Sequence, residues 1–94
     1  MEKPELLPIR LVNVSATPEA QEAIARADDS LEDLLERHRN GDWGDLSDED
    51  KAVYDAALKS GSTVFSEFIT SEFDRIWLYT AIGRFTRVYL PHEN

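Results

Sequence analysis

Three runs in the last third of the chain, TVFSEFI (63–69), RIWLYTA (75–81) and FTRVYL (85–90), are aromatic and β-branched, and short polar or glycine-containing links separate them. Such runs favour strands. Links this short force neighbouring strands to double back, so the pattern predicts an antiparallel meander. Alternation sorts the last two strands into faces: Ile76, Leu78, Thr80, Thr86, Val88 and Leu90 on one, Arg75, Trp77, Tyr79, Phe85, Arg87 and Tyr89 on the other. The aliphatic face is expected to pack on helices. In 63–69 the phase stays open, because Phe65, Glu67 and Ile69 look as buriable as Val64, Ser66 and Phe68.

Upstream, PIRLVNV (8–14) reads as one more strand. Thr17-Pro18 announces a helix, since a threonine hydroxyl caps an orphan amide and proline suits the first helical position. Ala20, Ala23, Ile24, Ala27, Leu31, Leu34, Leu35 and His38 then recur at helical spacing, which predicts one long amphipathic helix over 18–39. Asn40-Gly41 supplies its stop. Ser47, with Asp50 as capping partner, starts a second helix over 48–60 that would bury Ala52, Val53, Ala56 and Ala57 and end at Gly61. Residues 1–7 and 92–94 are expected to be loose ends. The result is a single α+β domain, 1–94, of order β-α-α-β-β-β, with two helices packed on one face of a small, mainly antiparallel sheet.

Charge is distributed unevenly. The net charge is −9, and residues 17–50 hold twelve acidic side chains against Arg26, Arg37 and Arg39. Such a field repels phosphate and favours basic partners, while also serving solubility. No direct nucleic-acid contact is expected. The chain has no cysteine, which removes disulfides and thiolate chemistry. MEKPELLP lacks the regions of a signal peptide and no run is apolar enough to span a bilayer, so a cytoplasmic protein without a membrane partner is expected.

HRNGDWGDLSDED (38–50) concentrates the chemistry-bearing residues. A calcium loop needs glycine at its sixth position and glutamate at its twelfth. Placing Glu49 at twelve puts Trp43 at six, and starting at Asn40 puts Lys51 at twelve, so both registers fail. Zinc would need more imidazole ligands than His38 and distant His92. No metal and no cofactor is expected. The stretch reads mainly as a corner between helices, with Gly41 and Gly44 at positive φ, Trp43 and Leu46 beneath it and Ser47 capping the next helix. The alternative makes His38 a general base oriented by Asp42 or Asp45. A second candidate is the face of Arg75, Trp77, Tyr79, Phe85, Arg87 and Tyr89, where arginine and aromatics could bind a ligand or form a homodimer seam. Nucleophile elbows, phosphate-binding glycine loops and dinucleotide fingerprints are missing from the sequence.

His38-x-x-Gly41-Asp42-Trp43-Gly44-Asp45, then Glu49-Asp50, Ser66, Ile76-Trp77, Thr80, Arg84, Thr86 and Leu90-Pro91, resemble a family of short proteins found on plasmids and other mobile elements. The resemblance covers roughly the carboxy-terminal two thirds and implies a mobile-element setting without a particular activity. Separately, the element order is similar to that of RelE-like messenger-RNA interferase toxins, which work from the sheet face opposite the helices. That similarity implies a ribonuclease whose matching face would offer Arg75, Tyr79, Arg87 and Tyr89, with Arg84 and His92 nearby, and Arg84 and Arg87 as the residues on which cleavage would depend; His38 is a separate catalytic candidate through the general-base reading.

The expectation that follows is a non-enzymatic protein of a phage or plasmid that binds another protein. Its most concrete form is an acidic inhibitor of a host nuclease defence, anti-CRISPR or anti-restriction, that mimics nucleic acid. Glu22, Asp29, Asp33, Glu36, Asp45, Asp48, Glu49 and Asp50 would carry the contact with a basic, nucleic-acid-binding nuclease complex. The alternatives are the RelE-like ribonuclease and a dimeric regulatory or antitoxin-like module.

Overall fold

The computed structural model describes residues 7–93, so the expected loose ends at 1–6 and 94 lie outside the described residues. Elements follow in the order β1 (Val14–Ala16), α1 (Pro18–Arg26), α2 (Leu31–Arg39), α3 (Asp48–Lys59), β2 (Thr63–Ile69), β3 (Arg75–Ala81) and β4 (Phe85–Tyr89), closed by a 3-10 turn at Pro91–Glu93. The described residues thus form an α+β fold with three helices and one four-stranded sheet, ordered β1-β4-β3-β2. The meander is antiparallel throughout, and β1 runs parallel to β4, with Val14 opposite Thr86 and Ala16 opposite Val88. The sheet is therefore mixed.

The long helix expected over 18–39 is two helices. Ala27 caps α1, and Asp28 takes the left-handed conformation at φ 59°. Its amide donates to the Ala25 carbonyl, and that of Asp29 donates to Ile24, the paired bonds of a Schellman stop. Ser30 then caps α2 by accepting from the Asp33 amide. The physical reason is length. A straight 22-residue helix would run about 33 Å, whereas seven-residue strands extend only about 23 Å. Breaking the helix lets Ala20, Ala23 and Ile24 of α1 and Leu34 of α2 share one core with Phe68, Ile76, Leu78 and Val88. Each of the larger side chains so buried, Ile24, Leu34, Phe68, Ile76, Leu78 and Val88, contributes roughly 1.5–3 kcal/mol.

Glycine makes the same stop at the other two helices. Gly41 and Gly61 sit at φ 85° and 70°, donating to His38 and Leu58, while Asp42 and Ser62 donate to Arg37 and Ala57.

Two further expectations are corrected. The strand placed at 8–14 shrinks to Val14–Ala16, because Ile9 is drawn out of the sheet: its amide donates to the Arg39 carbonyl at 2.7 Å and its side chain is buried. Asn13, at φ 50°, turns the chain before β1 begins. In α3, Ala52, Val53 and Ala56 are exposed, and the covered stripe is Tyr54, Ala57 and Leu58. α3 packs along β2, the Trp43 corner and the segment around Ile9, through one narrow stripe. The open phase of β2 resolves with Val64, Ser66 and Phe68 facing the helices. His92 and Glu93 are not loose: the Glu93 carboxylate accepts from the Leu90 amide and the Thr17 hydroxyl, both at 2.8 Å.

Candidate functional site

His38, on the inner face of α2, is fully buried and meets the sheet through hydroxyl groups. Its Nδ1 lies 2.6 Å from Ser66 Oγ and its Nε2 2.8 Å from Thr80 Oγ1, which is itself 2.8 Å from Thr86 Oγ1. One bond fixes the direction of the whole chain. Ser66 donates its single proton to the Asp42 carbonyl, which can only accept. Ser66 must therefore accept from His38 Nδ1–H, so Nε2 is bare and accepts from Thr80, whose oxygen accepts from Thr86. Burial pushes the imidazole down to about 4, consistent with this neutral tautomer.

That arrangement corrects the general-base expectation. The Asp42 carboxylate accepts from Arg37 Nε and the Gly44 amide, at 2.8 and 2.9 Å. Partial burial opposes its ionisation, but those two hydrogen bonds and the Arg37 charge hold it below the usual carboxylate range. The Asp45 carboxylate accepts from the Ile69 amide at 2.8 Å. Neither carboxylate orients His38, and both ring nitrogens are already taken by hydroxyls.

The rest of the corner is built for close approach. Gly44 bridges to Glu67 in parallel, with the Glu67 amide donating to the Trp43 carbonyl and the Asp45 amide to the Glu67 carbonyl. A Cβ on Gly44 would fall 2.2 Å from the Glu67 carbonyl oxygen. Residues 43–45 thereby cover the Glu67–Ile69 end of the free edge of β2, an edge that would otherwise invite another strand. Trp43 is buried and donates to Asp55, at 2.9 Å.

The eight carboxylates expected to carry binding all lie at the surface, in two groups. Glu22 and Asp29 belong to α1 and its exit, Asp33 and Glu36 to α2, and Asp45, Asp48, Glu49 and Asp50 to the corner and the first turn of α3. The break at Asp28 means that Glu22 and Asp33 do not share one helix axis. Glu36 is occupied by Arg39 and Asn40, and Asp45 by Ile69. Glu22, Asp29, Asp33, Asp48, Glu49 and Asp50 carry no side-chain ion pair among the described residues.

The sheet face turned away from α1 and α2 is aromatic. Rings of Trp43, Tyr54, Phe65, Trp77 and Tyr89 follow one another at 5.2–6.5 Å, wrapping from the corner around β2 onto this face. Tyr79 stacks on Phe85, and the Arg87 guanidinium lies 4.5 Å over Tyr89. Glu67, almost buried, accepts from Trp77 Nε1 at 2.9 Å and from Arg75 at 3.2 Å. Arg84 sits in the turn between β3 and β4, while Arg87 faces away from the side of the sheet that holds His38. His38 and Arg87 therefore lie on opposite sides of the sheet.

The sequence reading missed the Ser66–Thr80–Thr86 set. Its signal was present: hydroxyls interrupt an otherwise aliphatic face at the level where a lone histidine sits on the opposing helix. Among the described residues, the one grouping of potential metal ligands is Glu19, His92 and Glu93. His92 Nε2 lies 2.8 Å from Glu19, and Glu93 accepts the two hydrogen bonds given above, so the trio clasps the carboxy-terminal turn to α1. No described helix is long and apolar enough to cross a membrane. No protein-family model matches the chain, and comparison with curated proteins and with solved structures gives no significant match.

Proposed function

We propose that the protein is an accessory protein of a mobile element that acts by binding a protein with a basic surface. Its most concrete form is an inhibitor of a host nuclease defence, CRISPR or restriction, whose arginine-rich nucleic-acid groove receives the carboxylates. One observation carries the reading. The three arginines of the helical half are each engaged, Arg26 with Asp74, Arg37 with Asp42 and Arg39 with Glu36, while Glu22, Asp28, Asp29, Glu32, Asp33, Asp48, Glu49 and Asp50 are exposed and have no cation among the described residues. Asp33, Asp48, Glu49 and Asp50 favour the amino-terminal ends of α2 and α3, and together the unpaired carboxylates project a field suited to a cationic partner. The mobile-element setting rests on the resemblance alone.

The test is affinity capture from host lysate, followed by binding measurements on the captured nuclease. Glu22→Lys and Asp33→Lys combined with Asp48→Asn and Glu49→Gln should weaken binding by at least about tenfold and flatten its salt dependence, with an unchanged circular dichroism spectrum. Binding that survives these changes rejects the reading. Growth arrest on expression, with RNA cleavage lost in Arg87→Ala, would replace it with the ribonuclease.

A further inference from the structure

Phe73 is 86% exposed, the most exposed large apolar side chain described, and it stands at φ 67°. A bulky residue in that region is strained, and the turn holds it there. Thr70, itself buried, accepts through its hydroxyl from the Glu72 and Asp74 amides, donates its amide to the Asp74 carbonyl, and accepts from the Phe73 amide through its own carbonyl. The ring is presented on a locked turn at the β2–β3 end of the sheet, beside Glu72 and Asp74.

The opposite end of the sheet holds the complement. A cavity of about 610 Å³ opens there, with Pro8, Val12, Leu58 and Ile82 in its wall and Arg10 and Lys59 at its edge. It has about four times the roughly 150 Å³ that suffices to hold benzene in an apolar cavity. Its rim is open, since a Cβ built on Gly61 or Gly83 would meet nothing within 4 Å. Arg10 and Lys59 have no ion pair among the described residues, and neither does Glu72.

We infer that Phe73 of one copy of this chain docks into this cavity of a second copy, with Glu72 facing Lys59 and Arg10 across the contact. Knob and cavity lie a strand's length apart, about 20 Å, so they cannot meet within one copy. The occupant is a second copy because the same chain supplies both halves, an exposed ring flanked by Glu72 and Asp74 and an apolar cavity flanked by Arg10 and Lys59, opposite in charge. A two-fold axis that runs the two sheets antiparallel would engage both knobs at once and close a dimer, and without it the contact propagates head to tail. The contact goes beyond the acidic-surface reading and does not use its carboxylates.

Sedimentation equilibrium of the full chain tests it, with a dilution series followed by NMR. Wild type should self-associate with concentration, shifting Ile82 and Gly83 together with residues 70–74. Phe73→Asn, which tolerates the left-handed turn, should raise the dissociation constant about 30-fold or more. Glu72→Lys and Lys59→Glu should each weaken association, and the double exchange should restore it. A chain monomeric at every accessible concentration overturns the inference. So does association that Phe73→Asn leaves unchanged, or shifts confined to Trp77 and Tyr79.

Discussion

His38 of α2 and Thr80 of β3, forty-two residues apart in sequence, share a 2.8 Å hydrogen bond inside the core. With the bond to Ser66 on β2, it pins one rotation of α2 onto the sheet, because an imidazole has two nitrogens in one fixed plane and each must find its partner. A buried polar group satisfied in this way costs little to keep and much to break.

His38→Ala should therefore destabilise the fold by about 3 kcal/mol or more, from the cavity and from hydroxyls left without partners. Replacing the network together, as His38→Leu with Thr80→Val and Thr86→Val, should recover more than half of that loss. Urea unfolding measures both. Equal losses would show that the hydrogen bonds themselves, and not the cavity or the orphaned hydroxyls, supply the stabilisation.

Acid should weaken the protein through the same residue. The unfolded chain takes up a proton on His38 near its ordinary 6.5, whereas the folded protein takes it up only near 4. The stabilisation is complete above 6.5 and is lost as pH falls from there towards 4, a total of about 3 kcal/mol. Denaturant midpoints measured between pH 7.5 and 5 should fall for the wild type and fall less for His38→Gln. The Asp42 and Glu93 carboxyls, held low by their hydrogen bonds, add losses of the same sign at lower pH.

Two glycines in similar backbone conformations should respond very differently to alanine. At Gly44, φ 78°, a methyl group meets the Glu67 carbonyl oxygen and, at 2.8 Å, the Phe68 ring. Gly44→Ala should cost several kcal/mol or prevent folding, because backbone must move and the cover of β2 is lost. Gly83, φ 81°, has open space, so Gly83→Ala should cost only the left-handed penalty of about 1–2 kcal/mol. Thermal melts of the two variants side by side decide the point.

Asp28 occupies the left-handed stop of α1, a place that glycine fills without strain. Asp28→Gly should raise stability by about 0.5–1 kcal/mol, read as an upward shift in Tm. A lower Tm would mean that the carboxylate contributes an interaction of its own at the break.

How far the sequence reaches is clearest at the helices. Wherever a local rule sufficed, it held: Thr17, Ser30 and Ser47 accept from the amides three residues on, and the glycines at 41 and 61 end α2 and α3. Ser30 was overlooked because the apolar stripe runs unbroken through 27–31, and because the residue that stops α1 is an aspartate where glycine is the usual signal. Alternation assigned the faces of β3 and β4 correctly, since period two leaves each side chain only two directions. It could not phase β2, whose two faces are alike in composition.

Other features depend on which distant groups meet. Local pattern placed His38 on the apolar stripe and proposed Asp42 or Asp45 as its partner by proximity in sequence. Tertiary folding turned both carboxylates outward or onto the β2 edge and gave the imidazole to the hydroxyls of Ser66 and Thr80, twenty-eight and forty-two residues away, with Thr86 behind Thr80. The sequence by itself determined the helix starts at Thr17 and Ser47, the stops at Gly41 and Gly61, which residues are apolar at which period, and where the charge lies, because these are properties of neighbours along the chain. Only the tertiary structure decided what His38 is for, why Gly44 must be glycine, and that the acidic half bends at Asp28, because each depends on contacts that come into being when helix and sheet are brought together.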